Sequence, residues 1–132
     1  MIVLQSIILC DCVYVDADTG KMVIAGTFHE ITVGETPTGY PERAAVLYLA
    51  FRDVRKDCSF EIEFVDVANN KTLLHFETFK LHAASPFETV ELAVPLPELP
   101  LPQPGPYSFD VFCEQAFLGT LRIKVVEEKE AE

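Results

Sequence analysis

Residues 59–66 read Ser59-Phe60-Glu61-Ile62-Glu63-Phe64-Val65-Asp66, an alternation of apolar and polar side chains. Successive side chains of an extended strand point to opposite faces. Phe60, Ile62 and Phe64 therefore share one face, and Glu61 and Glu63 the other. Such a strand belongs to a sheet with one buried side and one wet side.

The same reading extends in both directions. Upstream, Ala44 to Phe51 places Leu47, Leu49 and Phe51 on one face and Val46 and Tyr48 on the other, so a central strand apolar on both sides is expected. Ile2 to Asp16 forms a long first strand with a break or bulge near Gln5-Ser6. Asp16-Ala17-Asp18-Thr19-Gly20 has the chemistry of a turn, and Lys21 to about Val33 returns as the second arm of a hairpin. Gly34 to Pro41, with two glycines and two prolines, reads as a loop.

Downstream, Val67-Ala68-Asn69-Asn70-Lys71 turns the chain into a strand over Thr72–His82, and Phe87–Val94 alternates again. Six of the twelve residues in Pro95–Pro106 are proline. That segment favours polyproline II and reads as a stiff crossover whose Leu96, Leu99 and Leu101 cap one end of the fold. Pro97 and Pro100 have the spacing of an SH3-type ligand, the less favoured reading. Tyr107–Cys113 and Phe117–Val126 close the chain as a hairpin around Glu114-Gln115-Ala116.

Strand-like runs at this spacing, with no segment of helical period between them, predict an all-β antiparallel two-sheet sandwich of seven to nine strands, immunoglobulin-like or C2-like. One domain over residues 1–126 and a charged tail over residues 127–132 are expected. A chain of 132 residues buries enough surface to fold without disulfides or metal.

Composition narrows function. Ten Lys and Arg against 21 Asp and Glu give a net charge of −11. Phosphate backbones and anionic membranes repel such a surface, so no nucleic-acid or membrane partner is expected. The apolar start lacks a basic residue before Lys21, and no stretch reaches the ~18 apolar residues of a membrane span. A cytoplasmic protein is expected, with Cys10, Cys12, Cys58 and Cys113 as free thiols. Cys10-Asp11-Cys12 without a second nearby pair reads as structural rather than as a metal or redox site.

Two segments carry a resemblance. Cys10-Asp11-Cys12-Val13-Tyr14-Val15-Asp16, then Thr19-Gly20-Lys21 and Gly26-Thr27-Phe28-His29-Glu30-Ile31, resemble the opening of a family of small uncharacterised bacterial proteins. Members of that family begin Cys-Asp-x-Val-x-Val-Asp, then Thr-Gly-Lys, then Gly-x-Phe-x-x-Ile. Pro104-Gly105-Pro106-Tyr107-Ser108-Phe109-Asp110-Val111 with Leu118-Gly119-Thr120-Leu121 is similar to the family's end, and also to late strands of immunoglobulin-like sandwiches. The resemblance implies the sandwich and a bacterial cytosolic origin. It implies no mechanism.

Chemistry-bearing residues are dispersed. Asp16 and Asp18 precede the turn glycine Gly20 and are the candidates for calcium, but the third acidic position is that glycine and the distal glutamate of a twelve-residue loop is replaced by Thr27. His29, His75 and His82 have no metal-ligand spacing, and His75, on the face with Leu73 and Phe79, reads as a hydrogen-bonded core or partly buried side chain. No serine sits in a nucleophile elbow, and no glycine loop cradles phosphate. The sequence therefore predicts no enzyme, no cofactor and no metal site.

The favoured function is a non-catalytic protein-binding or assembly module, self-associating as a homo-oligomer. The alternative is a calcium-dependent C2-like module. In a two-layer sandwich one face of each sheet is external, so strands apolar on both faces need further cover. Leu4, Ile8, Val46 and Tyr48 are the interface candidates, through an outer sheet face or the edge of the N-terminal strand. A charged residue in place of Leu4 or Tyr48 would then dissociate the assembly.

Overall fold

A computed structural model describes residues 1–128. Eleven strands follow one another: β1 Val3–Val15, β2 Met22–Thr27, β3 Glu30–Val33, β4 Thr38–Tyr40, β5 Val46–Arg52, β6 Cys58–Asp66, β7 Lys71–Leu81, β8 Val90–Pro95, β9 Leu99–Leu101, β10 Gly105–Cys113 and β11 Ala116–Glu127. Two sheets face each other, in the orders β2-β1-β5-β8 and β3-β11-β10-β6-β7, and β4 pairs with β9 in a short ribbon. The architecture is the expected all-β sandwich. Its two sheets hold nine strands; the ribbon adds the other two.

The alternating strand sets the core. Phe60, Ile62 and Phe64 are fully buried. They meet Leu47, Leu49 and Phe51 of β5, which are equally buried on the inner face of the other sheet. Phe51 and Phe60 cross the interlayer gap with ring centroids 5.2 Å apart. Phe64 stacks on Tyr107 at 5.4 Å and tilts against Phe109 at 5.0 Å. Aromatic pairs of this geometry contribute about 0.5–1.5 kcal/mol each beyond simple burial.

At one end of the core the Tyr107 hydroxyl donates to the Gln103 carbonyl at 2.5 Å and accepts from the Gln103 N–H at 3.2 Å. A buried tyrosine near the start of a late strand, tied back to backbone a few residues upstream, is the corner of immunoglobulin-like sandwiches.

Local details follow sequence chemistry. A register shift between Leu4 and Ser6 places the expected bulge in β1. Asn70 takes a positive φ of 51° in the β6–β7 turn. Glu114 and Gln115 take positive φ of 48° and 73°, the two-residue geometry that suits a tight hairpin.

Several expectations need correction. Lys21–Val33 is not one strand. Gly26, at φ +72°, ends the straight run, and the chain crosses sheets. β2 stays with β1, whereas β3 pairs parallel to β11, so the second sheet is mixed. The segments read as loop and crossover meet as the β4–β9 ribbon, because the Leu99 and Leu101 positions leave Pro100 at the centre of a three-residue pairing. Leu96, Leu99 and Leu101 are nonetheless buried, as a core-capping role requires.

A register shift in β6–β7 between Ser59 and Glu61 reverses the alternation at the end of β7, where Leu81 is buried and Lys80 exposed. The C-terminal boundary also moves. Glu127 belongs to β11, its carboxylate accepts from the Thr36 hydroxyl at 2.5 Å, and the Glu128 N–H donates to the Val33 carbonyl at 2.7 Å. Lys129–Glu132, the rest of the expected tail, lie outside the described residues.

Candidate functional site

The outer face of the β2-β1-β5-β8 sheet is built by the alternate residues of its strands. Leu47, Leu49 and Phe51 point inward, so Val46, Tyr48 and Ala50 point out. Register carries this face sideways: Ile8 lies opposite Tyr48 and Cys10 opposite Val46. On the other flank Ala93 pairs with Tyr48 and Glu91 with Ala50. Beyond Cys10 the face continues onto the β1–β2 hairpin, where Cys12 pairs with Ala25 and Tyr14 with Val23. From Ile8 to Val23 the face is apolar or weakly polar. Glu91 and Arg52 carry its charge at one end.

Two polar groups on this face are held neutral. The Tyr48 hydroxyl donates to the Glu91 carboxylate. Burial, and then that partner, push the Tyr48 pKa up to about 12. The Cys10 thiol donates to the Val46 carbonyl at 3.4 Å. Burial, and then Cys12 and Asp11, raise its pKa above the usual thiol value. Neither group ionises at neutral pH, so neither is a ready base or nucleophile. Uncharged groups with internal partners can be covered by another protein surface at little desolvation cost.

The other outer face differs. On the β3-β11-β10-β6-β7 sheet, Glu63 pairs across the strands with Asp110 on one side and His75 on the other. The Thr120 hydroxyl donates to Asp110 at 2.6 Å. His75 Nε2 lies 3.1 Å from Glu61 Oε2. His75 is therefore an exposed partner of Glu61 and not part of the core.

Of the four interface candidates, the structure brings Ile8, Val46 and Tyr48 together. Leu4 is elsewhere. The bulge before Ser6 turns it inward, where its Cδ2 lies 2.9 Å from the position a β-carbon on Gly119 would take. A charge at Leu4 would disrupt the core instead of probing a surface. The N-terminal strand pairs with β5 over Val3–Cys10 and with β2 over Cys10–Val15, so each half leaves its other side without a strand partner. Sequence reasoning missed Cys10, Ala50, Ala93 and the exposed hairpin residue Tyr14. The period-two rule applied across registered strands selects them once the strand order is known.

The calcium candidates are otherwise engaged. Asp16 Oδ1 accepts the Asp18 N–H at 2.8 Å and the Thr19 N–H at 3.0 Å. These bonds, Thr19 first, lower the Asp16 pKa below the usual carboxylate value. Asp16 serves the turn through its carboxylate and Asp18 through its backbone N–H. Among the described residues no three of His, Cys, Asp and Glu converge as a metal cluster. All four cysteines are free; three are buried and Cys12 is exposed.

No curated protein matches the chain. A family model does, over residues 5–126, which span both sheets and the candidate face. The chain belongs to that family, a family of unknown function (DUF6941).

Proposed function

We propose that this chain is a non-catalytic protein-binding or assembly module that self-associates through the outer face of the β2-β1-β5-β8 sheet. The observation that carries this reading is the contrast between the two outer faces. One bears half-buried Ile8, Val46 and Ala93, with Tyr48 and Ala50 packed among them at 8% and 2% exposure; the other bears Glu61, Glu63, Asp110 and His75, with Phe112 and Phe117 beside Glu61. Large apolar patches on a soluble protein mark interaction surfaces.

Symmetry, against the charge, favours a second copy as the occupant. A net charge of −11 opposes indiscriminate contact between copies. Apposition of the apolar faces about a two-fold axis keeps the Glu61–Glu63–Asp110 faces on opposite outer sides. Edge pairing is the poorer route. The long edge strand β7 is broken by two register shifts, and β8 ends in Pro95. Bulges and prolines are the usual protection of sheet edges.

Acidity argues against nucleic-acid and anionic-membrane partners. Among the described residues no helix is long and apolar enough to cross a membrane. Four free thiols suit a reducing compartment, which supports a cytoplasmic location. The test is sedimentation or light scattering of the purified protein at tens of micromolar. A discrete dimer is expected; a wild-type protein that stays monomeric refutes the reading.

A further inference from the structure

We propose that Cys58 and Cys113 form a two-thiol site for a soft monovalent metal ion of the Cu(I) class. Cys58 opens β6 and Cys113 closes β10. The strand register pairs Cys113 with Phe60, so Cys58 is its diagonal neighbour, two residues along on the same inner face. Their exposures are 7% and 5%, and Cys58 is near enough to raise the Cys113 pKa. Both line a cleft of about 540 Å³ at the end of the sandwich away from Tyr107, with Ile2, Val54 and Lys56.

The span selects the chemistry. Diagonal positions on paired strands lie roughly 7–8 Å apart at Cα. A disulfide wants about 4.4–6.8 Å. A bridging ion tolerates the longer reach, because two metal–sulfur bonds of about 2.3 Å hold the sulfurs up to about 4.6 Å apart. Soft thiolate donors select Cu(I). Among the described residues no third His, Cys, Asp or Glu joins the two thiols as a metal cluster, which disfavours zinc, an ion that wants four ligands; Met1, whose thioether is a soft donor, lines the same cleft.

Uptake balances as Cu(I) plus two thiols giving a dithiolate complex of one net negative charge and two released protons. Two copper–sulfur bonds form, two S–H bonds break, and no oxidation state changes. Burial, and then Cys58, push the Cys113 pKa up to about 12, Glu114 adds to this and Lys56, 3.9 Å from Glu114, opposes it, so the free site holds protonated thiols and the metal must displace those protons. Ion entry is through the open side of the cleft.

The test uses the reduced full chain under an oxygen-free atmosphere. Cu(I) is supplied as its acetonitrile complex and competed with a chromophoric Cu(I) chelator. A Cys10→Ser, Cys12→Ser double variant removes the other two thiols and leaves the proposed site untouched. It is expected to hold one equivalent, with two sulfur neighbours at the metal by X-ray absorption. That equivalent is expected to disappear in Cys58→Ala and in Cys113→Ala while the β circular dichroism signature persists. Failure of the double variant to hold copper, or one sulfur neighbour instead of two, overturns the proposal without reference to the alanine variants. Retention of the equivalent by both alanine variants also overturns it.

Discussion

The Asp11 carboxylate occupies the space a side chain at Gly26 would need. A β-carbon there would sit 2.2 Å from Asp11 Oδ2, and Gly26 has φ +72°. This contact lies at the end of β2, just before the chain leaves one sheet for the other. Gly26→Ala is expected to destabilise the fold by about 1–2 kcal/mol from the left-handed backbone alone. The clash with Asp11 adds to that. Denaturant unfolding of Gly26→Ala and of Gly26→Ala with Asp11→Ala separates the contributions: the second substitution should recover part of the loss, never all. An unchanged midpoint for Gly26→Ala would refute the account of the crossover.

Tyr107→Phe tests the corner. The substitution keeps the ring stacked on Phe64 and removes the hydroxyl bonded to both backbone groups of Gln103. Burial raises the Tyr107 pKa, so the hydroxyl remains protonated and a donor at neutral pH. Leaving backbone groups unsatisfied costs about 1–3 kcal/mol. The unfolding midpoint should fall accordingly, with β circular dichroism unchanged. A loss within experimental scatter would show that the corner contributes nothing to stability.

His82 reports on an exposed ion pair. Its Nδ1 lies 2.6 Å from Asp57 Oδ1, and Asp57 raises its pKa above the ordinary 6.5. A raised histidine pKa stabilises the folded state fully below the unfolded value, and that contribution is lost as pH rises through the higher folded value. The window therefore opens near 6.5 and closes above the folded midpoint. Both side chains are mostly solvent-exposed, so salt should weaken the effect. A nuclear magnetic resonance titration should show the His82 midpoint falling toward the ordinary value in Asp57→Asn. Equal midpoints in the two proteins would remove the pair.

Much of this architecture was legible because single residues impose it. Phe60, Ile62 and Phe64 alternate with acids, and Asn70 accepts a positive φ; both signals are local. The errors arise where a face depends on another strand. Leu4 looks like a surface residue until the bulge beside it turns it toward Gly119. Leu81 and Lys80 exchange faces at a β7 register shift that no residue type announces. The β3–β11 parallel pairing joins segments far apart in sequence. The same holds for the candidate face. Ile8, Val46 and Tyr48 could be read from their strands, but Cys10 and Ala93 join them only through register. Likewise Cys58 and Cys113 meet because β6 and β10 are neighbours in one sheet.

The association surface yields the sharpest contrast between variants. Ile8 lies on the outer face opposite Tyr48, so Ile8→Lys places a charge at the proposed contact and, by two-fold symmetry, brings a like charge from the other copy near it. Such a substitution at a well-packed contact costs about 2 kcal/mol or more, roughly a thirtyfold rise in Kd. Ser59→Lys puts the same charge on the exposed side of the opposite sheet and should leave association as it is. Leu4→Lys should behave differently from both. It buries an ammonium against Gly119, so the unfolding midpoint should drop. Sedimentation equilibrium and denaturant unfolding on the same three proteins give the readout. The expected pattern is a weaker dimer with near-normal stability for Ile8→Lys, no change for Ser59→Lys, and loss of stability for Leu4→Lys. An Ile8→Lys protein that associates as tightly as the wild type would take the interface off this face.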